Sequence, residues 1–139
     1  MMIMEDDLAL AAEWQIAFEE AGMRVVQTHN ASDCLDWLAR NEAHTVIADI
    51  YIRRDGALIS DGGVKLVGML RSAGTRAERP DLPIVAITGA SGGRGAPVLE
   101  LASAMGADLV LRKPVPIPDL IAKVEGLMRL REQEREQSA

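Results

Sequence analysis

A chain of 139 residues suits one domain with one core, and a hydrophobic fraction of 48% argues against disorder. A net charge of −6 and a pI near 4.9 make it repel a phosphate backbone, which argues against nucleic-acid binding. The single cysteine, Cys34, excludes a disulfide framework and multi-cysteine metal sites, and no apolar run approaches the roughly 18 residues of a membrane span. Met1-Met2-Ile3-Met4 runs directly into acids with no basic stretch before it, so it does not read as a signal peptide. These features point to a soluble cytoplasmic protein. The aromatic residues are two Trp, one Tyr and one Phe, which predicts an aliphatic core.

In chain order, Met1–Met4 is a short apolar run ending at Glu5-Asp6-Asp7. Residues 8–21 carry Leu8, Ala11, Ala12, Ile16 and Ala17 at helical spacing, with Asp7 as a cap and Gly22 as the stop. Met23–Thr28 is a second strand. Asn30 or Ser32 can cap a helix through Asn41 that uses Leu35, Trp37 and Leu38, and in which Cys34 is a buried, inert thiol. Thr45–Ala48 is a third strand ending in Asp49. Residues 51–63 hold two Asp-Gly steps, at 55–56 and 61–62, and read as a long loop. A helix is predicted over Val64–Ala73, and a strand over Pro83–Thr88 with Pro at its start. Then come a Gly-rich loop over Gly89–Gly95, a short helix over Val98–Met105 and a fifth strand over Leu109–Leu111. Residues 119–135 form the last helix, within which the charged tail 132–139 begins.

Five βα repeats with strands apolar throughout predict a parallel sheet covered by helices on both faces. The expected class is α/β: a flavodoxin-like, doubly wound three-layer sandwich with strand order 2-1-3-4-5. In such sheets the site lies at the carboxyl ends of the strands. Glu5, Asp6 and Asp7 follow strand 1, Asp49 follows strand 3, Thr88 follows strand 4 and Lys113 follows strand 5. Converging carboxylates repel and need a cation, raised pKa values or the lysine ammonium. Oxygen ligands without His or Cys favour Mg²⁺ or Mn²⁺, and the Tyr51 backbone carbonyl is placed to add a ligand. Asp49 is the central carboxylate positioned as a nucleophile, with Thr88, Lys113 and a backbone N–H available for phosphoryl oxygens. Taken singly, each residue has a plainer reading as a turn residue, a β-former or a surface charge; the four together at one edge carry the inference.

Ile3-Met4-Glu5-Asp6-Asp7, Thr45–Asp49, Leu82–Thr88 and Gly106-Ala107-Asp108 leading to Lys113-Pro114 resemble the receiver domain of two-component response regulators. The resemblance runs from Met1 to about Arg131, giving a receiver domain over 1–131. It implies that Glu5 and Asp6 form the acidic Mg²⁺ pair, Asp49 the phosphoacceptor, Thr88 the switch hydroxyl and Lys113 the conserved lysine, with a cis Lys113–Pro114 bond. It implies a sensor histidine kinase or histidine phosphotransfer protein as phosphodonor, and output through the fourth helix, fifth strand and fifth helix. The module would catalyse only its own phosphotransfer and autodephosphorylation. No output domain follows residue 139, so the chain reads as a stand-alone receiver, with dimerisation left open.

Three departures stand out. Tyr51-Ile52-Arg53-Arg54 lacks the proline usual in the family, which implies an insertion before the helix. The family's aromatic switch position falls on Val110, which has no ring to swing. The loop 89–95 is unusually glycine-rich, which predicts mobility. Other classes fit less well. The acids after strand 1 would repel a flavin phosphate, and no GxGxxG or Walker A is completed. A Mg²⁺-dependent phosphatase with an Asp nucleophile needs a second acid at the position of Tyr51. A degenerate receiver acting as a phosphorylation-independent scaffold is the remaining alternative.

Overall fold

Three of the strands can be buried on both faces because every residue they contribute before the sheet's carboxyl edge is apolar. The computed structural model describes residues 1–54, 57–89, 100 and 103–138, with backbone alone for 52–54 and 57–59. Its strands are β1 (Met2–Met4), β2 (Val26–Thr28), β3 (Val46–Asp49), β4 (Ile52–Arg54), β5 (Ala57–Ile59), β6 (Ile84–Thr88) and β7 (Leu109–Arg112). The helices are α1 (Leu8–Glu20), α2 (Ala31–Leu38), α3 (Gly63–Arg71) and α4 (Ile117–Ser138). Five strands form one parallel sheet in the order β2-β1-β3-β6-β7, as the sequence predicts. The predicted helix over 98–105 and the Gly-rich loop lie outside the described residues, apart from residues 89, 100 and 103–105.

The pleat sorts the core into two layers. Met2, Met4, Val46, Ala48 and Ile84 face α2 and α3, meeting Cys34, Leu38, Leu66, Val67 and Leu70. Ile3, Ile47, Val85 and Ile87 face the other way, against Trp14 and Phe18 of α1 and Leu120 and Val124 of α4. Cys34 is fully buried, and burial pushes its thiol up to about 12, so it is inert at neutral pH.

Four sequence expectations are corrected. The core is not purely aliphatic, because Trp14 and Phe18 are among its largest fully buried side chains. On α1 the buried stripe is Ala11, Trp14 and Phe18, whereas Leu8 and Ile16 are 63% and 60% exposed. The two aromatic rings have far more area to bury than the small aliphatic residues, so the sheet takes their stripe. Residues 52–59 are not a simple loop: β4 and β5 form an antiparallel hairpin in which Arg54 pairs with Ala57. A two-residue Asp-Gly step between β-forming runs is a strong hairpin signal, and Asp55-Gly56 supplies it in sequence, although that step itself lies outside the described residues. The last helix runs to Ser138, through most of the charged stretch, supported by an Arg131–Glu134 pair one turn apart.

Helix ends follow the expected chemistry. Asp7 Oδ1 accepts from the Leu10 N–H at 3.1 Å, and the Asn30 side chain accepts from the Asp33 N–H at 2.8 Å. Gly22, at φ +93, turns the chain after α1. At the amino edge of the sheet, Arg71 donates to the carbonyls of Leu82 (2.7 Å) and Gly106 (3.0 Å) and pairs with Asp108 at 2.9 Å. Asp108 also accepts from the Ile84 N–H at 2.8 Å and from Arg131 of α4. One carboxylate thereby ties α3, β6 and α4 together at the edge away from the acids.

The corrected α1 face is directly testable. Phe18→Ala is expected to lower unfolding free energy by about 3–5 kcal/mol in urea melts, whereas Leu8→Ala changes it by no more than about 0.5 kcal/mol.

Candidate functional site

Each strand of the sheet's centre ends by handing a polar residue to the same edge. The hydrogen-bond ladder continues one step beyond the strands: the Glu5 N–H donates to Thr28 O (3.2 Å), the Ile50 N–H to Ile87 O (2.8 Å) and the Lys113 N–H to Thr88 O (2.7 Å). Those bonds hold the turns so that a cleft of about 320 Å³ opens between Glu5, Asp6, Asp49, Tyr51, Gly89 and Lys113. The Lys113–Pro114 bond is cis. A wider groove of about 520 Å³ runs between residues 38–44 and 79–82; it holds none of these residues.

The ammonium of Lys113 donates to Glu5 Oε2 at 2.8 Å and to Asp49 Oδ2 at 3.1 Å. Glu5 is fully buried and Asp49 is 3% exposed. Each carboxylate has one further donor: the Asp7 N–H reaches Glu5 Oε1 (3.1 Å), and the Tyr51 N–H reaches Asp49 Oδ1 (3.1 Å). Two buried carboxylates thus share one cation. Burial, reinforced by the Asp49 charge, pushes Glu5 up to about 8 against the pull of Lys113. Burial also raises Asp49, opposed chiefly by the charge of Lys113. Lys113 itself is raised: burial works against its charge, and the hydrogen bond to Glu5 and the charge of Asp49 outweigh it.

Glu5, Asp6 and Asp49 each offer a carboxylate oxygen, and these lie within 4.8 Å of one another. An all-oxygen set of this kind, with two acids too buried to carry their charge comfortably, fits a hard divalent cation. Tyr51 lines the cleft beside them. Thr88 lies at the same edge but is fully buried, and its hydroxyl donates to the Gly89 carbonyl at 3.4 Å instead of lining the cleft. Val110 packs with Ile50, Tyr51 and Ala86, next to the peptide that follows Asp49.

Several residues at the site escaped the sequence pattern. A Cβ at Gly63 would sit 2.5 Å from the Asp49 carbonyl oxygen and 2.8 Å from Ile50 Cα, so the first residue of α3 must lack one. Asp61, between the hairpin and α3, is tied to the start of α2: its carbonyl accepts from the Ala31 N–H, and Oδ1 accepts from the Ser32 N–H and hydroxyl and from Lys65 at 3.0 Å. Slight burial tends to raise its pKa, but the Lys65 and Ser32 donors outweigh it and hold the carboxyl below its ordinary value. His29 Nδ1 lies 2.9 Å from the Glu5 carbonyl oxygen. Trp14 lies under the cleft, with Lys113 Nζ 5.8 Å from its ring centroid. A second glycine after Asp61 was the available hint for Gly63; a tryptophan on the helix after strand 1 was the hint for Trp14.

The chain matches the response regulator receiver domain family over residues 1–125 and belongs to it. Solved structures agree in fold. A CheY-like receiver domain protein from Methanospirillum hungatei JF-1 superposes with a TM-score of 0.78 at 22% identity, covering 96% of this chain and 95% of that one. The Francisella response regulator 1452 receiver domain gives 0.73 at 20% identity, over 92% and 94%. NtrX from Brucella abortus, solved with ADP, gives 0.82 at 20% identity over 99% of this chain and 28% of that much longer one. No curated protein matches the chain. Among the described residues no helix is long and apolar enough to cross a membrane.

The proton on Glu5 has a consequence for stability. The folded chain keeps it up to about pH 8, whereas the unfolded chain releases it near 4.5, so the folded state binds more protons between those values. Stability in chelator therefore falls as pH rises through that window. Asp49 shifts in the same direction, and the opposing contribution of Lys113 is lost only above 10.5. Glu5→Gln is expected to melt higher than the unsubstituted chain above pH 8 and to show no such gain below 4.5, read by thermal denaturation in chelator.

Proposed function

We propose that this receiver accepts a phosphoryl group on Asp49 from a histidine kinase or histidine phosphotransfer protein and signals through protein contacts. The observation that supports this reading is the clustering of Glu5, Asp6 and Asp49 at the carboxyl edge of the sheet, with Glu5 and Asp49 both held by the ammonium of Lys113. A carboxylate oxygen of Asp49 attacks phosphorus. The P–N bond of phosphohistidine, or the P–O bond of an acyl phosphate, breaks in the same displacement. An acyl leaving group departs as its anion, and imidazole departs after taking up a proton. Asp49 needs no general base, because it reacts as the ionised form.

Glu5, Asp6, Asp49 and the Tyr51 carbonyl are the groups that would hold Mg²⁺, or Mn²⁺ in its place. The bound ion would neutralise the carboxylates and the phosphoryl oxygens. Lys113, whose ammonium now donates to Glu5 and Asp49, would supply the positive charge that pairs with the new phosphoryl group. The Tyr51 N–H, which already reaches an Asp49 oxygen, steadies the nucleophile. The Thr88 hydroxyl joins the site only by leaving the Gly89 carbonyl, and that exchange is the conformational step we assign to phosphorylation. Among the described residues, β7 and α4 belong to the output surface in this reading.

Incubation with acetyl phosphate and Mg²⁺, followed by intact-mass measurement, tests the proposal. A phosphate-sized gain is expected in the unsubstituted chain and is absent in Asp49→Asn or in chelator. Lys113→Ala is expected to slow the gain by about 10²-fold, the usual effect of removing one positioned charge from a phosphoryl transition state. No gain with any phosphodonor would leave the phosphorylation-independent scaffold as the reading.

A further inference from the structure

We propose that Trp14 is a positioning residue for Lys113, its ring face holding the ammonium at the point between Glu5 and Asp49 where the phosphoryl group arrives. The inference rests on the reading of Lys113 as the residue that pairs with that group.

A lysine side chain is a flexible four-carbon stem, and about 2 kcal/mol of rotamer entropy opposes holding it in one place. Two of the three ammonium protons of Lys113 point to carboxylates, at 2.8 and 3.1 Å. Those partners are not constant in the proposed reaction, because both acids would serve as cation ligands and Asp49 would change chemically. Trp14 is the constant neighbour. Its centroid lies 5.8 Å from Nζ, within the range of cation–π attraction, and Trp is the strongest of the aromatic side chains in that role. The ring is immobile: Trp14 is 2% exposed and packs in the layer formed by Ile3, Phe18, Ile47, Leu120 and Val124. The lysine side chain, by contrast, keeps 23% of its surface exposed and has room to move. A fixed quadrupole below and a solvent-connected cleft above let the ammonium change carboxylate partners without leaving the site.

Core filling alone would also explain a buried tryptophan, and the two roles separate experimentally. Replacing the half-buried Trp37 by Phe leaves Trp14 as the sole indole. In that background, with no phosphodonor, Lys113→Met is expected to change the intensity and wavelength of Trp14 emission by removing a proton-donating charge from the ring face. Identical spectra would overturn the contact. In the second arm, initial rates of mass gain are measured against acetyl phosphate concentration. Trp14→Phe, which keeps a ring face, is expected to stay within about twofold of the unsubstituted rate. Trp14→Leu, which keeps apolar bulk without one, is expected to lower the maximal rate by about three- to thirtyfold at unchanged half-saturation. Thermal melts establish that both variants are folded. Equal maximal rates for Phe and Leu would reduce Trp14 to core packing. Absence of mass gain in the unsubstituted chain would sink the Asp49 reading instead, and the emission arm would still decide the Trp14 contact.

Discussion

Two buried carboxylates leaning on one ammonium define this molecule. Glu5 and Asp49 come from adjacent strands, and Lys113 arrives from the far edge of the sheet, 64 residues beyond Asp49 in the chain. Desolvation makes the ionised pair costly, and the lysine offsets only part of that cost. The doubly wound topology is what lets three residues so distant in sequence meet, because every parallel strand ends at the same edge. The core beneath, layered by the pleat into two apolar faces, keeps that edge rigid enough for distances near 3 Å to matter.

The acids and the lysine were legible because parallel topology turns a strand's last residue into an address. Asp49, Glu5, Asp6 and Lys113 needed only strand boundaries and the rule that sites sit at carboxyl ends. Thr88 ends β6 at that edge, but its hydroxyl direction depends on a rotamer and a neighbouring carbonyl, neither of which a sequence pattern encodes. The α1 face was misread because Leu8, Ala12 and Ile16 have a helical spacing as convincing as that of Ala11, Trp14 and Phe18. Only the area available to two rings breaks the tie. Asp-Gly marks a loop and a hairpin turn alike, and only the β-forming residues on both sides of Asp55-Gly56 separate the two over 52–59. Gly63 was invisible for another reason: its necessity is a distance to a backbone oxygen, a property of two segments at once.

The site also explains how an acidic chain tolerates an acidic cleft. Burial pushes the Glu5 carboxyl up to about 8, so near neutral pH the cluster carries less negative charge than its formula suggests. In the proposed reading, a bound divalent cation would supply stronger compensation at the same oxygens. Beside the cluster, Val110 packs against the Ile50 and Ala86 pair, so β7 meets the residue after Asp49 through an aliphatic side chain.

The missing side chain at Gly63 has a mechanical corollary. Where a Cβ would already overlap the Asp49 carbonyl, the amino end of α3 and the reactive peptide touch with no compliant layer between them. Compressible side chains elsewhere in the fold absorb small displacements; here there are none to do so. A tilt of the 49–50 peptide toward the helix would meet the backbone at the start of α3 with no side chain in between to deform.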